Sequence, residues 1–361
     1  SEILDTIKMK YGISTEIDGY LFIGDCAHER IENSSNMIFR SRPGMFSIFD
    51  FVNDFLTLKS KPTALANFNG RLYAFDKNNI YRINQQTLSI EDVFEGVGCL
   101  NKDSIIVTEY GMFFADRNGA YMHNGNLPTK ISDVINQGGD TDVSFGGTDN
   151  IRDVSWSNVV TKQKEPNVFV SFNANTTSIL FNVEYIGYLA SAGAGNIPQI
   201  RQYIWSYNIP RQRWDLWELS ENSSIGKPFL GDLGELYIPI DEGIYEYTGG
   251  NVKRDFTWIS KKLTMEEDSV IKVFNKVKLN GLTTNINLDG SYKESSQRII
   301  MATSTGLIST SDVVYSTESS GHTSYKLSGS NKKGRWLQLK LEDMTDNVDS
   351  IGIIYRRKST K

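Results

Sequence analysis

Residues 70–83 read GRLYAFDKNNIYRI, and the phrase returns as GMFFADRNGAYMHN at residues 111–124 and as GELYIPIDEGIYEY at residues 234–247. In each copy a glycine opens an apolar run, a few polar or glycine residues follow, and a second apolar run containing tyrosine closes the unit. Two such runs joined by a tight turn make a β-hairpin, so one hairpin is used repeatedly. Self-similarity on this scale marks radial or stacked architectures, whose units bury their faces against one another.

The sequence around these copies alternates in the same way. YLFI at 20–23, MIFR at 37–40 ahead of the Arg42-Pro43-Gly44 turn, and the runs at 63–68, 90–94 and 105–108 supply further strands. Residues 50–58 and 131–135 each read as one helical turn. NVFVSF at 167–172, ILFNVEY at 179–185, YIWSY at 203–207 and RWDLWEL at 213–219 continue the pattern, with Trp214 placed to cover the gap between adjacent sheets. The small-residue stretch GYLASAGAGNIPQ at 187–199 reads as a surface loop. These units amount to about five or six small antiparallel sheets over residues 1–258, inside the ~4–8 blades usual for a β-propeller. Closing a ring of sheets removes free edges, and a pair of stacked sandwiches is the alternative.

Composition changes after Trp258. KKLTMEED at 261–268 reads as a connector, and strands follow at 270–279, 284–288, 298–303, 312–316, 323–327, 335–341 and 350–356. Even spacing and cleanly alternating WLQLKL at 336–341 fit an antiparallel β-sandwich of jelly-roll or immunoglobulin-like type. The expected fold is therefore all-β: a propeller of five to six blades over residues 1–258, then a sandwich over 259–361.

A chain of 361 residues exceeds what one core normally supports, in keeping with two units. The net charge of -5 argues against a phosphate-binding surface dominating the molecule. Cys26 and Cys99 have no close-spaced partners and read as buried free thiols. No run approaches the ~18 apolar residues of a membrane span, so no membrane anchor is expected. SEILDTIKMK at the start lacks an apolar signal core, and beginning on Ser1 points to processing or to a longer polypeptide.

Chemistry is less legible. His28, His123 and His322 lie in different units and read as surface or turn residues. No Gly-x-Ser-x-Gly, HExxH or P-loop pattern is present, and AGAGN at 192–196 lacks the Lys-Ser/Thr partner of a phosphate loop, so no cofactor is expected. Asp140, Asp142, Asp149 and Asp153, separated by glycines, are weak candidates for Ca²⁺ ligands, against the plainer reading of turn chemistry. Asp215, Glu218, Asp232, Glu235, Asp241 and Glu242 could supply a glycosidase pair, but no pair is singled out by its neighbours. The basic ending YRRKSTK, with Arg356 and Arg357, reads as a solvated tail or subunit contact.

Residues 80–126, IYRINQQTLSIEDVFEGVGCLNKDSIIVTEYGMFFADRNGAYMHNGN, resemble the virion β-propeller proteins of tailed bacteriophages, of the tail nozzle or tail hub type. KGRW at 333–336 and SIGIIYRRKS at 350–359 are similar to the terminal sandwich of such proteins. The resemblance implies a non-enzymatic structural subunit, made in the host cytoplasm and located in the virion. Its partners would be other phage tail proteins and further copies of itself in a ring, with DNA passing through the channel without specific binding. Trp205, Trp214, Trp217 and Tyr247 are aromatics of the kind that suit such interfaces, and the acidic balance would keep exiting DNA from sticking. A receptor- or glycan-binding tail-tip module that meets a host receptor is the alternative, and a propeller glycosidase a more distant one.

Overall fold

The computed structural model describes residues 9–136, 155–191, 195–219, 224–232, 234–247, 256–260, 262–265, 269–280, 298–318, 322–344 and 348–358. The chain is all-β, built of antiparallel sheets and consistent with a β-propeller-like fold. Its described residues through Tyr247 form one compact unit and those from Phe256 onward a second.

Among the described residues of the first unit five sheets follow one another along the chain. The first comprises Met9–Ile17, Tyr20–His28, Met37–Arg42 and Met45–Phe49, with Phe55–Thr57 also paired to the third strand. The second is Ala64–Phe68, Arg71–Phe75, Asn79–Asn84 and Ser89–Glu95; the third is Ile105–Thr108, Gly111–Asp116, Gly119–His123 and Thr129–Lys130. The fourth is Asn167–Asn173, Ser178–Ser191, Gly195–Asn208 and Arg213–Glu218, and the fifth Phe229–Leu230, Leu236–Ile240 and Gly243–Glu246.

The echoed phrases are the hairpins between second and third strands, with registers Leu72↔Ile83, Met112↔His123 and Tyr237↔Glu246. The glycine of the first phrase completes a two-residue turn with Asn69, at φ 51° and 66°. Asp18-Gly19 in the first sheet repeats it at 51° and 78°. Two left-handed residues give the turn whose twist matches that of the flanking strands.

Each interior sheet is apolar on both faces, because it lies between its predecessor and its successor. Leu72, Ala74 and Tyr81 pack on Ile13, Phe22 and Ile38 of the first sheet. Their alternates Tyr73, Phe75 and Ile80 pack on Met112, Phe114 and Tyr121 of the third. Phe113 and Ala115 turn the other way, onto Val170, Phe181 and Trp205 of the fourth, where Leu180 and Ile204 in turn meet Leu236 and Ile238 of the fifth. Burying one such Phe or Leu is worth roughly 1.5–3 kcal/mol, and two-faced burial is why the runs read LYAF and MFFA rather than as strict alternation.

Three expectations change here. Residues 187–191 and 195–199 are strand, not loop: pairing from Ser178↔Asn208 runs on without a break to Ser191↔Gly195. Within 50–58 only the turn closed by Asp54 N–H on Asp50 O is helical in character, and Phe55–Thr57 is a strand. The basic ending is not a solvated tail up to Arg357, since Ser350–Arg357 pairs with Lys272–Asn280.

Among the described residues the second unit has two antiparallel sheets. One orders Phe256–Ile259, Leu337–Met344, Arg298–Thr303 and Gly306–Leu307; the other centres on Lys272–Asn280, flanked by His322–Leu327 with Val313–Glu318 and by Ser350–Arg357 and Lys333–Gly334. Phe274, Val277, Tyr325 and Leu327 from one share a core with Ile299, Met301, Leu339 and Leu341 from the other. Phe256–Ile259 pairs with Leu337–Met344, and Trp258 packs on this core. The strand expected at 284–288 lies outside the described residues.

Candidate functional site

The apolar run of every echoed hairpin ends in an aspartate, and each one reaches back to the chain segment entering its own sheet. Asp76, 1% exposed, accepts the backbone N–H groups of Asn78 and Asn79 at 2.7 and 2.6 Å, the Tyr81 hydroxyl at 3.0 Å and the Ser60 hydroxyl. Asp116, 3% exposed, accepts the N–H groups of Gly98 and Asn118, both at 3.3 Å. Asp241 accepts the Ser224 N–H at 2.7 Å. Ser60, Gly98 and Ser224 each precede the first strand of the same sheet. A carboxylate suits this post because it only accepts, and a tight turn presents several donors at once.

The two buried latches differ electrically. Burial alone would raise the Asp76 carboxyl, but Ser60, Asn79, the Asn78 N–H and Tyr81 outweigh it and hold it below the usual range. At Asp116 burial wins, and the backbone donors Gly98, Asn118 and Arg117 only reduce the rise. Burial, then the hydrogen bond to Asp76, pushes the Tyr81 hydroxyl up to about 12.

The GVGC segment at 96–99 seals the second hairpin to the third sheet. Gly96 N–H donates to Asn78 O at 2.8 Å, Cys99 N–H to Asp76 O at 2.9 Å, and Thr63 Oγ1 to Cys99 O at 2.7 Å. A side chain at Gly98 would put its Cβ 2.2 Å from Asp76 O and 2.4 Å from Lys77 C, both backbone atoms that have nowhere to go. At the next tip the Trp156 indole N–H donates to Asp116 O at 3.3 Å, doing for the fourth sheet what Cys99 does for the third.

His123 is fully buried between the second and third sheets, not at a surface or turn as expected. Its ring stands 5.2 Å from Tyr73 and 5.0 Å from Phe94, and neither ring nitrogen has a hydrogen-bond partner among the described residues. Burial first, and the Arg82 charge second, lower its pKa to about 4, so the imidazole is neutral. His28 is half-buried, packs at a tilt 4.9 Å from Phe51 and accepts the Arg30 N–H at 3.1 Å. Cys26 and Cys99 are buried free thiols.

Of the aromatics expected at interfaces, Trp205 is 2% exposed and packed 5.3 Å from Trp156, so it fills the core and offers no surface. Trp214 is half-buried, its indole N–H held by Ile131 O at 2.9 Å, and Trp217 packs 5.4 Å from Tyr247. Arg356 and Arg357 are exposed on the strand opposite Val273 and Lys272. Among the glycosidase candidates, Asp215 pairs with Arg213 at 2.9 Å and Asp241 is the Ser224 latch. Asp140, Asp142, Asp149 and Asp153 lie outside the described residues, and among the described residues no three His, Cys, Asp or Glu gather as metal ligands.

Polar contacts also join sheets that are not consecutive. Lys102 Nζ, at the entry of the third sheet, donates to Gly12 O of the first at 3.4 Å. Lys227, at the entry of the fifth sheet, pairs with Asp103 at the entry of the third at 2.6 Å; between the consecutive first and second sheets, Lys61 pairs with Asp25 at 2.7 Å. At the far end of the first strands, a cleft of about 350 Å³ opens between the second and third sheets, lined among others by Asn67, Asn69, Val107, Tyr110 and Asn124.

No protein-family model matches the chain, and neither does any curated protein. Solved structures give distant likenesses only. The extracellular domain of the putative one component system BT4673 from B. thetaiotaomicron is 16% identical, covering 65% of this chain and 26% of that one, with a TM-score of 0.39. Kluyveromyces lactis Hsv2 is 11% identical over 58% of this chain and 61% of its own, at 0.26. MPT-1, a GDP-Man-dependent mannosyltransferase from Leishmania mexicana, is 11% identical over 66% and 83%, also at 0.26. The chain thus spans about a quarter of the length of the BT4673 domain.

Proposed function

We propose that this chain is a non-enzymatic structural subunit of a bacteriophage tail, a nozzle, hub or ring component that works with other tail proteins and further copies of itself around the DNA channel. The sheets of the first unit are blades about a common axis, and the second unit is a β-sandwich. The observation that carries the architecture is the pair of contacts Lys102–Gly12 and Lys227–Asp103. Sheets packed face to face lie ~10 Å apart, so in a straight row the first and third would stand ~20 Å from each other, beyond the reach of a lysine. Turning the row about an axis brings their entry strands together.

The tail role rests on the resemblance over residues 80–126, which supply the last two strands of the second sheet, the GVGC seal and the first three strands of the third. A rigid, two-faced stack suits a part that must resist force rather than close on a substrate. The test is electron microscopy of the purified protein beside immunogold labelling of phage particles. Ring-shaped oligomers and gold at the tail base are expected; a monomer at all concentrations with unlabelled particles would refute the reading.

A further inference from the structure

We infer that the cleft between the second and third sheets is a binding site for a neutral pyranose sugar. It lies where the turns at Asn69-Gly70 and Glu109-Tyr110 come together, and its volume of about 350 Å³ falls at the small end of the ~300–1,000 Å³ typical of ligand sites. Two features define its chemistry.

The first is an apolar wall. Phe68 closes the inside at 8% exposed, while Val107 and Tyr110 remain 41% and 39% exposed at the mouth. The Tyr110 ring is backed by Phe172 at 6.1 Å, which keeps it in place as a flat platform. A pyranose presents one face of C–H groups that lies well against such a ring, and an aromatic wall loses little entropy on binding.

The second is a rim of amides rather than charges. Asn67, Asn69 and Asn124 border the cleft, with Glu109 its one acidic side chain. Asn67 commits Nδ2 to Glu16 O at 3.1 Å, and Asn124 commits Oδ1 to the Asn126 N–H at 3.2 Å, so each keeps its other amide atom, an acceptor and a donor respectively. Paired donors and acceptors around an apolar wall recognise vicinal hydroxyls. A rim with one carboxylate and no Lys or Arg does not favour an anionic sugar or a phosphate. The turn itself is set before any ligand arrives. Tyr110 N–H donates to Thr108 Oγ1 at 3.2 Å, Thr108 Oγ1 to Gly111 O at 3.0 Å, and Gly111 at φ 135° lies against His123 O, where a Cβ would come within 2.9 Å.

This site does not depend on the tail reading, since sugar binding and ring assembly are measured separately. The experiment is saturation-transfer NMR on the full chain with glucose, galactose, N-acetylglucosamine and, as an anionic control, N-acetylneuraminic acid. At least one neutral sugar should receive saturation, and the signal should fall about tenfold in Tyr110→Ala and in Asn124→Ala, both with wild-type melting. The second variant keeps the test alive if the first fails to fold. Transfer to none of the neutral sugars, transfer only to the anionic one, or a signal unchanged in both variants would overturn the assignment.

Discussion

The second and third sheets carry the same hairpin with the same buried aspartate at its tip, and the two carboxyls have opposite electrostatic fates. Asp76 collects side-chain donors from Ser60, Asn79 and Tyr81 as well as backbone N–H groups. Asp116 has backbone donors alone, at the long distance of 3.3 Å. Burial costs both the same kind of desolvation, so the number and quality of donors decide the sign. A repeated position therefore fixes geometry without fixing energy. At Asp76 the charge is an asset; at Asp116 it is a cost that backbone donors only reduce, while Leu100 N–H on Ala115 O and Ala115 N–H on Ser104 O also anchor the entry of the sheet.

The harshest way to break the comparison is to remove the seam both tips share. Gly98→Val would drive a side chain into the Asp76–Asn78 backbone, and a loss of more than about 4 kcal/mol, or failure to fold, is expected in denaturant unfolding. The packing between these sheets can next be stressed by acid. The His123 pKa falls from 6.5 to about 4 on folding, so the unfolded chain takes up the proton first. Stability is full above pH 6.5, declines as pH falls toward 4, and loses roughly 3 kcal/mol over that window. Of the groups around the ring, Tyr73, itself raised by burial, stays neutral throughout. The difference between wild type and His123→Leu across pH 4–7 isolates the effect from the carboxylates.

Neutralising the latches sharpens the contrast. Asp76→Asn should cost about 2–3 kcal/mol at pH 7, since charge-assisted hydrogen bonds are lost and an amide donor is turned onto donors. Asp116→Asn should lie within about 1 kcal/mol of wild type, or above it, because removing the buried charge offsets weaker acceptance. Equal losses would show that donor count does not separate the two. The mildest change is Asp241→Asn at the exposed third tip, expected to shift stability by no more than about 0.5 kcal/mol.

Much of the first unit is legible in the sequence for a plain reason: Asn69-Gly70 and Asp18-Gly19 force turns, and the apolar runs between them are too short for helices. The aspartate latch is legible too, once the three phrases are aligned on the end of the apolar run rather than on the opening glycine. Other features are hidden. GYLASAGAGNIPQ looks like a loop because small residues carry no strand propensity, yet pairing propagated from 178–185 carries it into a ribbon. Trp205 and His123 are polar-capable aromatics in interior sheets that bury both faces, so their burial follows from where the sheet stands between its neighbours and not from any local pattern. The cleft draws on Asn67, Tyr110 and Asn124, which no spacing rule brings together.

The most direct test of the latch is a carbon-detected NMR titration of the side-chain carboxyls of Asp76 and Asp116 in the folded protein. Asp76 should titrate below the ordinary aspartate range near ~3.9 and Asp116 above it. Coincident midpoints, or the reverse order, would contradict the claim that donors gathered at each hairpin tip set the energy of this fold.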